Sequence, residues 1–433
     1  MGARTLTILL REKEANWQSL RQDDDPGISP DVRARFLGAW DEHRRIYGYT
    51  LLGELPFLLR EGLANHPELA GIDYDLLVID EYQDLNACDL EVIRLLAGRG
   101  CAIVAAGDDD QSIYSFRKAA PEGIRRFPDD FPGCADYQLS ITRRCAQRIV
   151  DWARFVIAGD PGRHPERLLP RCADGAPLGE VALLAFDDQT SEASVVVELV
   201  ASLRGRGVAP DQILILLRGD HNEAFSGPIK AGLQAAEVPV SDSDAVKRML
   251  TQQPNRRVLA ACRLLADQQD SLAWATILHQ TPGVGEKFTD YIYNLALNER
   301  SRFGEALLGA LGRGFAGGPR ASGREAVAAM RELLGWAERH RLPVAGEERW
   351  GGWILDSVRD LPGAIPTEEF AHLLRLLDEN LDEETDFSGY LGQIAPLGKD
   401  LLAAASSGVR IMTLNGAKGL TVRATVIAGL KRT

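Results

Sequence analysis

The sequence lacks any run of about eighteen apolar residues, so we expect no membrane-spanning helix. Its first residues, MGARTLTILLREKEANW, form a short apolar patch followed at once by charges, a pattern that differs from a signal peptide. The six cysteines are scattered without a CxxC pair, so we expect neither a zinc frame nor a disulfide scaffold. Together these absences favour a protein of the reducing cytoplasm.

The composition is that of an ordinary globular protein. Of the 433 residues, 45% are hydrophobic and 26% are charged, which excludes wholesale disorder. At roughly one or two hundred residues per domain, this length predicts about two to four domains. The formal net charge of −13 argues mildly against a protein that coats nucleic acid through bulk charge, but it is compatible with a local basic groove.

Two short apolar runs each end in acidic residues. The run at 74–79 ends in Asp80-Glu81, the run at 101–106 ends in a glycine and three aspartates, and a helix is predicted between them. Nearly continuous apolar runs of this length predict strands buried on both faces of a parallel sheet. A strand, helix and second strand with carboxylates at both strand ends is the layout of an α/β nucleotide site.

The rest of the chain alternates between helical and α/β character. Residues 1–70 are predicted to be mainly helical. A second α/β stretch begins near residue 137, with candidate strands at 181–186 and 213–217 and a helix between them. Residues 248–400 are again predicted to be helical, and apolar runs at 409–414 and 424–428 restore strand character. The simplest architecture is two α/β lobes with a helical block inserted in the second.

The two acidic loops carry residue types suited to phosphate chemistry. A carboxylate at a strand end can hold Mg²⁺ beside a nucleotide, and a second one can orient or deprotonate the attacking water. Asp80 and Glu81 match these roles, although an acidic loop that caps a helix would give the same pair. In the second loop, the Gln111 amide can sense a γ-phosphate while a nearby aromatic ring stacks on a base. An Asp-rich turn with a core phenylalanine is the alternative there.

Several segments together resemble the UvrD/Rep/PcrA family of superfamily-1 DNA helicases, which translocate 3′ to 5′ along single strands. DEYQD at 80–84 is similar to the family's motif II, GDDDQSIYSFRKA at 107–119 to motif III, and VRIMTLNGAKGL at 409–420 to motif V. LSITRRC at 139–145 lies where motif IV is expected. TPGVGEK at 281–287 resembles the Gly-rich turn of the family's inserted helical subdomain, a duplex contact.

This resemblance implies an α/β fold with two RecA-like P-loop-NTPase lobes, the first incomplete, and with helical inserted subdomains. Residues 1–70 would be a remnant of the first lobe's helical insert and 71–135 that lobe. Residues 136–247 and 401–433 would form the second lobe, and 248–400 its insert. The implied activity is DNA-stimulated ATP hydrolysis that drives unwinding in repair or replication. Its ligands would be ATP, Mg²⁺, single-stranded DNA and single-strand/duplex junctions.

The resemblance also implies roles for individual residues. Asp80, together with Glu81, would bind Mg²⁺, and Glu81 would activate water. Gln111 would contact the γ-phosphate, and Arg144, with Arg143 beside it, would reach the nucleotide. For Arg144, as for Lys418, a solvated surface cation is the alternative. The residues assigned to DNA, with Phe116 as the stacking platform, are Tyr114, Phe116, Arg117, Asn415, Lys418, Gly283, Gly285 and Lys287.

Departures from the family pattern lead us to expect a catalytically incomplete polypeptide. The sequence contains no GxxxxGK[ST] loop, and GQIAPLGKD at 392–400 has one residue too many and an Asp in place of Ser/Thr. The family's last catalytic arginine, which follows motif V, has no counterpart before Thr433. We therefore expect little or no ATPase activity from this chain alone. Family residues are also replaced within the motifs, by Phe116 for Trp, Arg143 for Tyr, Asn415 for His and Thr421 for Glu.

Three functional hypotheses stay open. The first is a helicase of this class, represented by a piece that begins downstream of the P-loop. The second is a non-catalytic DNA-binding remnant, or a subunit completed by a P-loop-bearing polypeptide. The third is an unrelated α/β hydrolase that uses Asp80 and Glu81, which leaves the other motifs unexplained. If the first lobe lacks the strand that carries the P-loop, its sheet should have an uncovered edge, and 71–135 should be less stable than 136–433.

Overall fold

The computed structural model describes residues 2–22, 24–66, 74–112, 122–161, 163, 167–220, 223–242, 245–315, 318, 320–344, 346–363, 365–405 and 407–430. The chain divides into a first unit, Met1–Leu37 with Thr50–Phe186, and a second unit, Gly38–Tyr49 with Asp187–Thr433. Both contain helices and parallel strands, so the predicted α/β class is confirmed. Within the described residues, every helix is too short or too polar to span a membrane.

The first unit contains two pairs of parallel strands. β1 (Leu76–Ile79) pairs with β2 (Ala102–Ala105), so that Leu76 lies opposite Ala102 and Ile79 opposite Ala105. β3 (Ile141–Thr142) pairs with β4 (Arg171–Cys172). The helices are α1 (Ala3–Ser19), α2 (Pro30–Tyr47, which continues into the second unit), α3 (Leu55–Asn65), α4 (Ala87–Ala97), α5 (Glu122–Arg125), α6 (Phe127–Asp130) and α7 (Gln147–Ala158).

The β1–β2 sheet is covered on one face only. Leu77 and Ile103 are among the side chains that pack against the buried cluster around Leu90 of α4. On the other face, Val78 is 66% exposed and Val104 is 52% exposed. The prediction of strands buried on both faces is therefore wrong for this sheet, because no described element covers its second face. The expected uncovered edge is present, since β1 and β2 pair only with each other among the described residues.

Helix α4 is fixed by its own amino-terminal residues. The Asn86 side chain accepts hydrogen bonds from the backbone N–H groups of Cys88 and Asp89, at 2.9 and 3.1 Å. The Asp89 carboxylate accepts the Asn86 N–H at 3.1 Å, which completes a capping box. Asp80 and Glu81 are therefore not the caps of this helix.

The second unit is built around a four-stranded parallel sheet in the order β6-β7-β5-β8. All five residues of β5 are buried, as expected for a central strand, and α8 and α9 supply much of the surrounding core. The predicted strand at 181–186 is wrong: Leu183 is 87% exposed, and no described strand lies beside these residues to pair with their backbone. The elements are β5 (Ile213–Leu217), β6 (Val240–Asp242), β7 (Val409–Thr413), β8 (Ala424–Ala428), α8 (Gln189–Gly205) and α9 (Ser226–Ala235).

The prediction of a helical stretch over 248–400 is confirmed. Its core contains large, fully buried side chains, among them Trp274, Trp336, Phe288 and Tyr390. The helices are α10 (Ala245–Thr251), α11 (Gln253–Ala266), α12 (Ser271–His279), α13 (Glu286–Glu299), α14 (Phe303–Gly312), α15 (Arg320–Arg339), α16 (Trp350–Ser357), α17 (Glu368–Asn380), α18 (Phe387–Gln393) and α19 (Pro396–Ala405).

Candidate functional site

The two acidic loops predicted from the sequence lie side by side. Because β1 and β2 are parallel and in register, their carboxyl ends meet at one edge of the sheet. Asp80 and Glu81 follow β1, and Gln111 lies in the loop that follows β2. The backbone N–H of Tyr82 donates to the carbonyl oxygen of Ala106 at 2.9 Å, so the loops are joined where they leave the strands.

Gln83 connects the two loops through its side chain, which is fully buried. Its Nε2 donates to Oε2 of Glu81 at 2.6 Å, and its Oε1 accepts the backbone N–H of Asp108 at 2.8 Å. Gly107 makes this close approach possible, because a Cβ at that position would lie 2.7 Å from Gln83 Oε1 and 2.6 Å from the side chain of Ile124. The orientation of the Glu81 carboxylate is thus tied to the backbone of the second loop.

The backbone at Glu81 is in the left-handed region, with φ 52° and ψ 41°. This conformation is uncommon for residues other than glycine and is retained where the surrounding contacts fix it. Here the contacts are the Gln83 amide on the side chain and Oδ1 of Asp80, which accepts the Glu81 N–H at 2.8 Å. The strained residue is thus the one that is predicted to activate the attacking water.

Gln111 ends a short 3₁₀ turn, Asp109–Gln111, and its side chain is exposed. Its Nε2 donates to Oδ2 of Asp108 at 2.6 Å. Since the Asp108 N–H is in turn bound by Gln83, a chain of hydrogen bonds runs from Glu81 to Gln111. The structure therefore brings together Asp80, Glu81 and Gln111, the three residues predicted for nucleotide chemistry in the first lobe.

Arginines from later in the first unit hold the three consecutive aspartates of the second loop. The Asp109 side chain is only 1% exposed and forms ion pairs with Arg125 at 2.6 Å and Arg167 at 3.0 Å. Arg167 also pairs with Asp108 at 2.6 Å, and Arg163 pairs with Asp110 at 3.1 Å. These cations offset charge that would otherwise repel an anionic ligand.

Sequence reasoning missed Gln83 and the arginine partners. Gln83 lies inside the DEYQD segment, so the segment itself pointed to it, but only the fold shows which groups its amide joins. Arg163 and Arg167 are more than fifty positions from the aspartates that they bind, and nothing in the local sequence indicates these pairs.

The carboxylates suit a metal that is shared with a nucleotide. Among the described residues, no group of three or more His, Cys, Asp or Glu side chains could hold a metal ion. Mg²⁺ in nucleotide sites usually takes one or two carboxylates and completes its shell with water and phosphate oxygens. Asp80 is exposed, and only its Oδ1 accepts the Glu81 N–H, so its carboxylate fits that role.

Arg143 and Arg144 follow β3 in the first unit, and both are exposed. The Arg144 N–H donates to Oγ1 of Thr142 at 3.4 Å. Within the described ranges, neither arginine forms an ion pair or hydrogen bond with the carboxylates or with Gln111. Their predicted role at the nucleotide stays a prediction.

The described residues that are predicted to bind DNA lie in two places. Asn415 and Lys418 are in the turn after β7, at the carboxyl end of a strand in the second unit's sheet. The Gly-rich turn precedes α13, and there Gly283 has φ +81°, which favours glycine, while Gly285 is the N-cap and Lys287 is exposed. Tyr114, Phe116 and Arg117 lie outside the described residues, so the stacking platform stays a prediction.

Comparisons with known proteins find relatives of the segment that contains both acidic loops. Residues 54–132, which include both acidic loops, match the family described as the UvrD/REP helicase N-terminal domain. DNA helicase II of Escherichia coli (strain K12) is 31% identical over 217 residues, covering 50% of this chain and 29% of that protein. ATP-dependent DNA helicase Rep of Salmonella typhimurium is 29% identical over 252 residues, covering 57% and 36%.

A third relative extends the match along the chain. DNA helicase II of Haemophilus influenzae is 25% identical over 455 aligned positions, covering 97% of this chain and 60% of that protein. Across these three relatives the chain spans 29 to 60% of their length. The comparisons confirm the resemblance that the motifs indicate.

Proposed function

We propose, on the premise that this chain is a relative of the UvrD/Rep-type superfamily-1 DNA helicases, that it is an ATP-dependent 3′–5′ DNA helicase or translocase. The observation that carries the proposal is the bridge by Gln83, which joins the candidate base Glu81 to the loop of the candidate phosphate sensor Gln111. In this proposal the β1–β2 sheet belongs to the first of two RecA-like lobes and the β6-β7-β5-β8 sheet to the second. Its ligands are ATP with Mg²⁺, single-stranded DNA and single-strand/duplex junctions.

The chemical step assigns one task to each residue at the sheet edge. Asp80 would hold Mg²⁺, which neutralises charge on the phosphates when the nucleotide is bound. Glu81 would orient the attacking water and accept its proton. Gln83 would hold the Glu81 carboxylate in one orientation, because its buried amide donates a hydrogen bond to that carboxylate at 2.6 Å. Gln111 would contact the γ-phosphate, and this contact would affect the loop that contains Gln111.

Coupling to DNA would follow from the position of Gln111. The segment 107–119 contains both this residue and the predicted DNA contacts at 114, 116 and 117. Loss of the γ-phosphate would therefore alter the affinity for an unpaired base, because one short loop contacts both ligands. A ligand can shift such an equilibrium only by its differential affinity for the two states, which here means ATP against its hydrolysis products.

Hydrolysis by these 433 residues alone is expected to be very slow. No GxxxxGK[ST] loop occurs among them, and the loss of even one phosphate-binding arginine finger costs a factor of roughly 10³–10⁵ in rate. A second candidate function is that of a DNA-binding protein that lacks catalysis or that depends on a P-loop-bearing polypeptide.

Fluorescence anisotropy with labelled single-stranded DNA tests the proposal. We expect the chain to bind the strand, a non-hydrolysable ATP analogue with Mg²⁺ to change the affinity, and Gln111→Ala to abolish that change. Gln234→Ala, at an exposed position of α9, is the matched control. A DNA affinity that the analogue leaves unchanged would support the non-catalytic candidate. A chain that binds no DNA, with or without the analogue, would contradict both candidates.

A further inference from the structure

A cleft lined by four arginines lies at the carboxyl end of α13. Two of them, Arg44 and Arg45, come from α2, and the other two, Arg300 and Arg302, come from the connection between α13 and α14. The cleft is open to solvent and has a volume of about 550 Å³, and all of its lining residues belong to the second unit. The remaining lining residues are Asp41, Gly48, Tyr49, Ser301 and Glu305, so cations outnumber carboxylates in a chain whose net charge is −13.

The two arginines of α2 are positioned by neighbouring groups. Nη1 of Arg45 donates to the carbonyl oxygen of Ser301 at 3.3 Å, which ties α2 to the α13–α14 connection. The Arg44 guanidinium lies 6.0 Å from the centre of the Trp40 ring. Arg45 also forms an ion pair with Glu42 at 3.5 Å, so the two arginines of α2 are fixed in position at the wall of the cleft.

The other two arginines, Arg300 and Arg302, are exposed. Arg300 ends α13 in the left-handed conformation, with φ 53°. Neither Arg300 nor Arg302 has a carboxylate partner within 4 Å in the described part of the chain. The carboxylate of Glu305 accepts the backbone N–H of Arg302 at 2.9 Å and is therefore already engaged.

Gly48 and Tyr49 line the cleft beside the arginines. Gly48 has φ +65°, and a Cβ there would lie 3.6 Å from the guanidinium carbon of Arg302. The half-buried Tyr49 hydrogen-bonds through its hydroxyl to Nδ1 of His43 at 3.0 Å, which fixes the ring. The buried Oγ of Ser301 has no hydrogen-bond partner within the described residues.

We infer that this cleft binds the phosphodiester backbone of DNA, a contact additional to the motif residues. The inference rests on the proposed DNA-dependent function. Arginine forks match phosphate oxygens in geometry as well as charge, and a fixed aromatic ring tolerates any base. The cleft lies at the opposite end of α13 from Lys287. The 14 residues of this helix span about 21 Å, or roughly six nucleotide steps of a B-form strand.

Salt-dependent anisotropy titrations with labelled oligo-dT, and with a duplex of equal length, test the inference. We expect Arg300→Ala/Arg302→Ala to weaken binding at least about tenfold at low salt. The slope of log affinity against log salt should become shallower by about 1.4 for the single strand or about 1.8 for the duplex, since two phosphate contacts are lost. The form of DNA that shows the larger loss identifies the natural ligand of the cleft.

Two further variants separate a specific contact from bulk charge. Arg331→Ala/Arg359→Ala removes two exposed arginines of the same unit and should bind like wild type. Arg300→Lys/Arg302→Lys keeps the charge and should retain the wild-type salt slope. Equal affinity of the cleft variant and wild type would overturn the inference while DNA binding itself persists, and so would an equal loss in the Arg331/Arg359 variant. A wild-type chain that binds no DNA would contradict the proposed function as well.

Discussion

The buried amide of Gln83 lies between Glu81 and Asp108, 2.6 Å from the Glu81 carboxylate and 2.8 Å from the Asp108 backbone nitrogen. One side chain therefore connects the loop after β1 to the loop after β2. A glutamine can do this because its amide carries a donor and an acceptor on the same plane. The two loops therefore share one hydrogen-bonded connection through this group.

Replacing Gln83 should destabilise the first unit. Gln83→Ala leaves the Asp108 N–H and the Glu81 carboxylate without their buried partner, which costs about 1–3 kcal/mol in the free energy of unfolding. Urea denaturation measures this cost, with the exposed Gln234→Ala as a control near zero. A variant as stable as wild type would show that the bridge contributes nothing to folding.

Asp109 should be the most sensitive of the three aspartates. Its carboxylate is 1% exposed and lies between Arg125 and Arg167, so Asp109→Asn leaves two guanidinium groups with a weaker partner. Because both arginines are partly exposed, we expect a loss of about 1–3 kcal/mol, less than for a fully buried pair. Thermal unfolding compares this variant with Asp129→Asn, whose carboxylate is exposed. Equal effects of the two variants would argue against the arginine pairs.

Stability at acidic pH should depend on Glu12 in the first unit. Its hydrogen bond from Arg33, at 2.7 Å, lowers the pKa of Glu12 below the ordinary value of 4.5. A depressed pKa in the folded state means that the stabilisation is present above about pH 4.5 and is lost as pH falls through the folded pKa. Glu12→Gln should therefore flatten the decline in the urea midpoint below that pH.

The matched control for this test is Glu14→Gln, which changes an exposed carboxylate of the same helix. In this variant the urea midpoint should decline at acidic pH as it does in wild type. If Glu12→Gln and wild type lose stability in parallel, the Glu12–Arg33 pair is not a source of the acid sensitivity.

The β1–β2 sheet should open more readily than the sheet of the second unit. Val78 and Val104 are more than half exposed, whereas Ile213 and Ile215 of β5 are fully buried. Amides of residues 76–79 and 102–105 should therefore exchange faster with deuterium than those of 213–217. This comparison tests part of the expectation that 71–135 is less stable than 136–433. Equal protection of the two sets of amides would count against it.

Local sequence predicted the elements better than their surroundings. The apolar runs ending at Asp80 and at Gly107 did form adjacent parallel strands, since runs of that length and apolar character favour strands. The run at 181–186 has the same character but forms no strand, since a strand also requires a neighbour to pair with. Whether a face is covered likewise depends on packing, which is why Val78 is exposed despite its place in an apolar run.

In the candidate site, too, the residues could be predicted from the sequence but their tertiary contacts could not. The carboxylates and Gln111 could be identified by residue type and by their position after strands. The partners that hold them could not, because Arg167 reaches Asp108 across 59 positions and Gln83 reaches Asp108 across 25. Such contacts follow from the tertiary fold and leave no local pattern.

Hydrogen–deuterium exchange with and without a Mg²⁺-bound, non-hydrolysable ATP analogue tests the central claim most directly. If the edge of the β1–β2 sheet is one nucleotide site linked through Gln83, the analogue should slow exchange in 80–85 and 107–112 together. In Gln83→Ala the protection of the second loop should be lost. An analogue that binds yet leaves both loops unchanged, or protects the same two loops in Gln83→Ala as in wild type, would contradict the account.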